Sequence, residues 1–255
     1  MNFENQGIPI AIITGSKSKK IPILSIDDKK NAKSIYSDLQ LKENEKFQAI
    51  PNPETERQIL YITGRSGSGK SYYTKHYCDE YKRMFPRNPV YLFSALTEDS
   101  SIDKIKGLKR IKLTDELLKE ELTSEDFKDA MVIFDDTDVI SNKLHQKKVN
   151  TIMNNILQVG RHTRTSCIIT THTACNGKDT KIILNEAHSI TIFPNGLGNR
   201  SMKYLLDSYL GLDKEQIKRI KRIENSRWVS IIKSFPMTIL SERGCYTINS
   251  TDDIK

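Results

Sequence analysis

Several features are scarce in this chain of 255 residues, and each scarcity removes a class of protein. There are four cysteines, Cys78, Cys167, Cys175 and Cys245, with no C-x-x-C pair and no His/Cys cluster of zinc-binding spacing. They read as free thiols of a reducing compartment, not as a disulfide framework. Cys167 lies inside an apolar run and reads as a core residue. No stretch approaches the roughly 18 apolar residues that a membrane-crossing helix needs, so no membrane insertion is expected. The opening Met1-Asn2-Phe3-Glu4-Asn5 lacks the basic start and apolar run of a secretion signal. No internal repeat and no low-complexity segment is visible.

The composition that remains is compatible with a sizeable core under a very polar surface: 37% of residues are hydrophobic and 28% are charged. The length suits one large domain, or one domain with appendages. Lys and Arg number 40 against 32 Asp and Glu, a net charge of +8. That excess makes a polyanion a reasonable partner, although many domains are basic for solubility alone.

The chain is organised around Gly64-Arg65-Ser66-Gly67-Ser68-Gly69-Lys70-Ser71, which fits G-x-x-x-x-G-K-[ST]. The glycines let backbone N–H groups turn inward into a nest for phosphate oxygens. Lys70 adds a point charge near the β- and γ-phosphates, and the Ser71 hydroxyl can ligate Mg²⁺. The flanks agree. Residues 58–63 read as a buried strand. Residues 70–85 carry Tyr73, Tyr77, Tyr81, Met84 and Phe85 at helical spacing, and the helix N-terminus favours anions. A second anchor follows about 60 residues on, at Met131-Val132-Ile133-Phe134-Asp135-Asp136. A buried apolar strand ending in acid is what a Mg²⁺-nucleotide site needs. Asp135 would hold the metal through water, and Asp136 would orient or deprotonate the attacking water.

The rest of the chain alternates. Residues 8–14 read as a strand, Gly15–Lys20 as a turn, and 21–24 as the hairpin partner; Pro9 and Pro22 demote both strands to edges. The basic cluster Ser16–Lys20 is either a solvated turn or a nucleic-acid contact. Residues 26–50 are polar and read as a connection. Short strands are expected at 90–93 and 110–113 with a loop over 94–108. A helix is expected over 114–129, with Thr114 as N-cap. Residues 141–159 form a helix whose apolar face is Val149, Ile152, Met153, Ile156 and Leu157. A basic loop over 160–165 leads to a strand at 166–171 that ends at His172. A polar residue there either reports the γ-phosphate or simply closes the strand. Helices are expected at 176–186, 200–210 and 213–224, and strands at 189–193, 227–232 and 246–248. The helix at 213–224 sets Lys214, Lys218, Arg219, Lys221 and Arg222 beside Ile217, Ile220 and Ile223. Its outer face is either plain surface or a contact for DNA phosphates.

Strands alternating with helices predict an α/β protein with a mostly parallel central sheet covered on both faces. The nucleotide then sits at the carboxyl ends of the strands, where the P-loop, Asp135 and His172 converge. The polar end of strand 166–171 predicts that it inserts between the P-loop strand and the Asp135 strand. Residues 1–50 read as a strand-containing extension, 51–195 as the P-loop core, and 196–255 as a helical and β extension that could touch DNA or a neighbouring subunit.

In order and spacing, GRSGSGKS, MVIFDD and QVGRHTRTSCIITTHT resemble the poxvirus-type DNA-packaging ATPases of large DNA viruses and virophages, within the FtsK–HerA superfamily. The resemblance covers roughly residues 57–195 and implies the following. Gly64, Arg65, Ser66, Gly67, Ser68, Gly69, Lys70 and Ser71 would bind the phosphates of ATP. Asp135 would hold Mg²⁺ with Ser71. Asp136 would stand where the family usually has a catalytic Glu, with Asp138 as its rival. His172 would stand at the sensor position, often Gln, and Arg161 would be an arginine finger reaching a neighbouring subunit, with Arg164 as runner-up; the plainer alternative for Arg161 is a pair with a local acid or a cap on the preceding helix. Members form rings that move double-stranded DNA into a preformed capsid. A homo-oligomeric ring on a portal or vertex protein, in the host cytoplasm or on the virion, is therefore expected. The competing readings are a nucleotide-dependent switch or small-molecule kinase, and a DNA-binding adaptor with a decayed site. The N-K-x-D string of a guanine-specific switch is absent, no clear arginine-rich lid is visible outside residues 196–203, and the intact Lys70, Ser71 and Asp135 argue against decay.

Overall fold

The computed structural model of the chain describes residues 1–4, 7–15, 21–26 and 36–248. The Ser16–Lys20 cluster lies outside the described residues, as does part of the polar stretch over 26–50. The strands in chain order are β1 (Ile8–Thr14), β2 (Ile23–Ile26), β3 (Asp38–Gln40), β4 (Lys46–Ala49), β5 (Ile59–Thr63), β6 (Val90–Ser94) and β7 (Leu108–Arg110). They continue with β8 (Met131–Asp135), β9 (Ser166–Thr171), β10 (Ser189–Ile192), β11 (Val229–Ile232), β12 (Met237–Ser241) and β13 (Gly244–Ile248). The helices are α1 (Lys70–Met84), α2 (Asp115–Lys119), α3 (Lys143–Val159), α4 (Lys178–Glu186), α5 (Asn199–Tyr204) and α6 (Lys214–Lys221).

Ten of the strands form one sheet in the order β3-β13-β12-β11-β10-β5-β9-β8-β6-β7. From β10 to β7 every neighbouring pair is parallel. These strands read as near-continuous apolar runs because both of their faces are covered. The alternation is explicit in β5. Ile59 and Tyr61 join the core under α3 and α4, while Leu60 and Ile62 join the opposite core under α1. In β8, Val132 and Phe134 face the first core and Met131 and Ile133 the second. Phe134 stacks flat on Phe93, with ring centroids 5.3 Å apart. Burying each such aromatic contributes roughly 1.5–3 kcal/mol. The tyrosines of α1, Tyr73, Tyr77 and Tyr81, are buried on the second face, as their spacing predicts.

The predicted insertion of strand 166–171 is observed: β9 lies between β5 and β8, parallel to both. Beyond β10 the sheet continues through antiparallel β11, β12 and β13. A second, three-stranded sheet, β2-β1-β4, packs against the core on the α1 side. Among the described residues, no helix is long and apolar enough to cross a membrane.

Several expectations are corrected. Pro9 does not confine β1 to an edge. β1 is the middle strand of the small sheet, and its pairing with β2 shifts register between Pro9 and Ala11, so a bulge absorbs the missing donor. Residues 26–50 contribute β3 and β4, short strands whose one fully buried large side chain is Phe47. The helix expected over 114–129 breaks into α2 and a 3-10 turn over Ser124–Phe127. The break falls at Thr123, which forms a capping box with Asp126 and starts the chain afresh. The strand expected at 110–113 is Leu108–Arg110, and the helix expected over 200–210 continues from α5 into a π turn over Leu205–Tyr209. Strand β12 has no counterpart among the expected elements, although Ile239 and Leu240 are fully buried.

Candidate nucleotide site

The site is built where β5 hands over to α1. Phe193 N donates to Thr63 O (3.0 Å) and Gly64 N to Thr171 O (3.2 Å), so the strands on both sides of β5 pin the start of the loop. A Cβ on Gly64 would lie 2.8 Å from both Phe193 Cβ and Ser68 Oγ, which leaves glycine as the residue that fits. Gly69 takes φ +111° as it caps α1, a conformation that L side chains rarely adopt. The Ser68 hydroxyl is buried with no partner, a polar atom waiting for an acceptor.

Three strand ends deliver the other groups. Lys70, only 6% exposed, donates to Gly64 O (3.0 Å) and lies 3.3 Å from His172 Nδ1 and 3.7 Å from Asp136 Oδ1. His172 Nε2 lies 3.0 Å from Asp136 Oδ2. An ammonium can only donate, so Nδ1 is the acceptor and Nε2–H donates to Asp136. Asp136 has φ +45°, and its N–H is held by the Thr170 hydroxyl (3.0 Å). Asp and Asn tolerate this left-handed region better than most residues. Asp135 is buried, and both carboxylate oxygens accept hydroxyl donors: Thr170 at 2.8 Å and Ser94 at 3.0 Å. Burial pushes the Asp135 carboxyl above the usual carboxylate range. The Thr170 hydroxyl opposes that shift, the charge of Asp136 adds to it, and the Ser94 hydroxyl opposes it again.

Lys70, Ser71, Asp135, Asp136 and His172 therefore line one cleft of about 310 Å³ at the carboxyl edge of the sheet. The donor set fits a nucleotide with a hard cation: a glycine nest, a buried lysine, an orphaned hydroxyl, and one carboxylate beside a serine. Ser71 and Asp135 are the residues that would hold Mg²⁺. Ser94 and Thr170 escape a reading of the sequence; their one signal is a hydroxyl residue at the end of an apolar strand. Asp138 sits one step further, exposed on the 3-10 turn over Thr137–Val139, and it is Asp136 that meets Lys70 and His172. Arg161 and Arg164 stand elsewhere, on the turn that precedes β9, at the end of that strand opposite to His172. Arg161 is 70% exposed and pairs with Glu56. Arg164 makes a two-pronged pair with Asp129 (2.5 and 2.9 Å).

The fold is that of a P-loop NTPase, a mostly parallel sheet flanked by helices with the glycine-rich loop at the carboxyl edge. Solved structures carry the likeness at the level of fold. The genome packaging NTPase B204 from Sulfolobus turreted icosahedral virus 2, in complex with AMPPCP, matches with a TM-score of 0.50 and 17% identity, over 73% of this chain and 98% of that one. The cytoplasmic domain of the type VII secretion ATPase EccC from Thermomonospora curvata matches with a TM-score of 0.53 and 8% identity, over 80% of this chain and 28% of that one. No family model matches the sequence. Protein V3 of Sputnik virophage is 38% identical over 251 residues, 97% of this chain and 98% of V3, and the chain belongs to the family of that virophage protein.

Removing the Lys70 ammonium takes away the one buried cation of the loop without opening the core. Lys70→Ala is expected to abolish measurable ATP binding in a calorimetric titration while leaving the unfolding midpoint nearly unchanged. Unaltered ATP affinity would contradict the site described.

Proposed function

We propose that the chain is an ATP-driven translocase of double-stranded DNA that packages a viral genome into a preformed capsid, and that it belongs to the poxvirus-type branch of its superfamily. The observation that carries the hydrolytic half is the meeting of Lys70, Asp136 and His172 beside a buried Asp135. Three things support the packaging half: membership in the virophage family, the fold shared with a viral genome packaging NTPase, and the net charge of +8. On this reading the protein works as a homo-oligomeric ring on a portal or vertex protein, in the host cytoplasm or on the virion.

The residues then divide the work. The P-loop N–H groups and Lys70 hold the β- and γ-phosphates, with Lys70 giving up Gly64 O and His172 for phosphate oxygens. Mg²⁺, when bound, neutralises charge on those oxygens. Water attacks the γ-phosphorus, the bond to the β–γ bridging oxygen breaks, and Asp136 accepts the water's proton. His172 fixes the orientation of Asp136 from one side and touches Lys70 from the other. It is thus placed to register whether the lysine is engaged. Within the stretch 196–203, where the sequence left room for a kinase lid, residues 199–203 belong to α5, which Met202 anchors in the core.

Asp135 and Asp136 should separate cleanly in mutants. Asp135→Asn is expected to weaken Mg²⁺-dependent ATP binding. Asp136→Asn should bind ATP nearly as well as wild type and lose at least roughly 100-fold in turnover. Normal hydrolysis by Asp136→Asn, with Asp138→Asn inactive, would move the catalytic acid two residues along the chain, to Asp138.

Arg161 is exposed, stands away from its own chain's site and is paired with Glu56, so acting as a finger requires a neighbour's site and release of Glu56. A planar, always charged guanidinium bridges two phosphate oxygens, and such a group accelerates hydrolysis by about 10³–10⁵ in well-studied cases. Mixing Arg161→Ala and Lys70→Ala subunits is expected to restore part of the activity that each lacks alone. Mixed rings that stay inactive, with Arg161→Ala alone nearly fully active, would pass the role to Arg164 or remove it.

DNA binding should fall steeply with salt and ignore sequence, because phosphate contacts release counterions. The face of α6 is narrower than the sequence suggests. Arg219 pairs with Asp38 and lies 3.7 Å over the Tyr246 ring, so it docks the helix to the sheet. Lys214, Lys218, Lys221 and Arg222 remain exposed. Replacing those four by Ala is expected to reduce the slope of log affinity against log salt by about 0.9 for each phosphate no longer neutralised. An unchanged slope would place the DNA path elsewhere, with Lys143, Lys147 and Lys148 next to be tested.

A further inference from the structure

The phosphate end of the site uses the strands on one side of β5. The other side of β5 is β10, followed by β11 and β12, and register decides what those strands bring to the same edge. Ile192 of β10 partners Val229 of β11, and Val229 partners Ser241 of β12. The segment entering β11 and the residue leaving β12 therefore arrive beside Phe193, at the start of α1. They are Arg227, Trp228 and Glu242. A cleft of about 140 Å³ lies here, bounded by Gly69, Tyr72, Phe193, Arg227, Trp228 and Glu242. A water molecule occupies about 30 Å³ in the liquid, so a flat ring system has room. Strand β4 of the small sheet closes the outer side, where the Gln48 amide donates to His76 O of α1 (3.4 Å).

The chemistry of the walls is that of a stacking site. Its floor is aromatic: Tyr73 meets Trp228 edge-on at 5.1 Å and Phe193 at 6.4 Å. Tyr72, directly after the P-loop serine, is 53% exposed, although its neighbour Tyr73 is buried. One contact of the Tyr72 ring is His76, at 4.2 Å. The Arg227 guanidinium lies 5.7 Å from the same ring. Behind it stands Glu242, whose side chain is 9% exposed. Glu242 Oε1 lies 3.6 Å from Arg227 Nε, and the backbone N–H of Arg227 donates to Glu242 Oε2 (3.4 Å). A ring inserted between two planes needs them about 7 Å apart, twice the carbon contact distance. Arg227 is 62% exposed and on a flexible stem, so it can open by the remaining distance.

We propose that Tyr72 and Arg227 clamp the purine base of the bound nucleotide, with Glu242 holding Arg227 at the edge and the N-terminal sheet walling the cleft. The proposal rests on the nucleoside-triphosphate reading of the P-loop and adds the part of the ligand that the P-loop does not touch. A π-face between a tyrosine ring and a guanidinium gains from stacking and from cation–π attraction together.

Calorimetric titration of the full chain with ATP and, separately, with inorganic tripolyphosphate tests it. Tyr72→Ala and Arg227→Ala are each expected to weaken ATP about 5- to 150-fold, the range for losing one stacking partner. Both should leave tripolyphosphate within about twofold of wild type, and Tyr72→Phe should keep ATP affinity. ATP affinity unchanged in both alanine variants would overturn the clamp alone. So would equal weakening of ATP and tripolyphosphate, because the two residues would then be acting on the loop. A wild-type chain that binds neither ligand would overturn the nucleotide reading itself, and the clamp with it.

Discussion

The insertion of β9 between β5 and β8 is the constraint on which the site depends. If β5 and β8 were neighbours, the P-loop would face the acids directly. With β9 between them, Thr170, Thr171 and His172 occupy the gap. Thr170 holds the acids, Thr171 O anchors Gly64 N, and His172 bridges Lys70 and Asp136. The spacing is set by sheet geometry, since neighbouring strands lie about 4.7–4.9 Å apart. β5 and β8 therefore stand two spacings apart, and Lys70 and Asp136 reach toward each other across the end of β9 to 3.7 Å, with His172 touching both.

The same geometry explains why the acids differ although they are adjacent in sequence. Asp135 ends a regular strand, is buried and accepts two hydroxyl donors. Asp136 has left the strand in a left-handed conformation and turns its carboxylate toward Lys70 and His172. One carboxylate is fixed and the other is aimed. On the proposed reading, that division matches the division between holding a metal and handling a water.

What can be read from the sequence follows from which residues are locally decisive. The P-loop, the tyrosine face of α1 and the apolar runs of β5, β8 and β9 each carry a pattern within a few residues, and each forms as that pattern predicts. The insertion of β9 is legible because a threonine-rich strand end is out of place unless it faces a polar site. What stays hidden depends on partners far away in sequence. β3 and β4 are three and four residues long and become strands only by pairing with β13 and β1. Arg219 looks like one more cation of a basic helix until Asp38 and Tyr246 are brought under it. The clustering of Arg227 and Glu242 beside Tyr72 needs the register of three antiparallel strands, which no local pattern encodes.

The central claim is that this site couples ATP hydrolysis to duplex DNA. The most direct measurement is the steady-state ATP turnover of the purified chain with and without double-stranded DNA of unrelated sequences, at low and high salt. The account predicts turnover that rises several-fold with any duplex and loses that rise as salt increases. Turnover indifferent to duplex, or phosphate passed to a small-molecule acceptor instead of water, would contradict it.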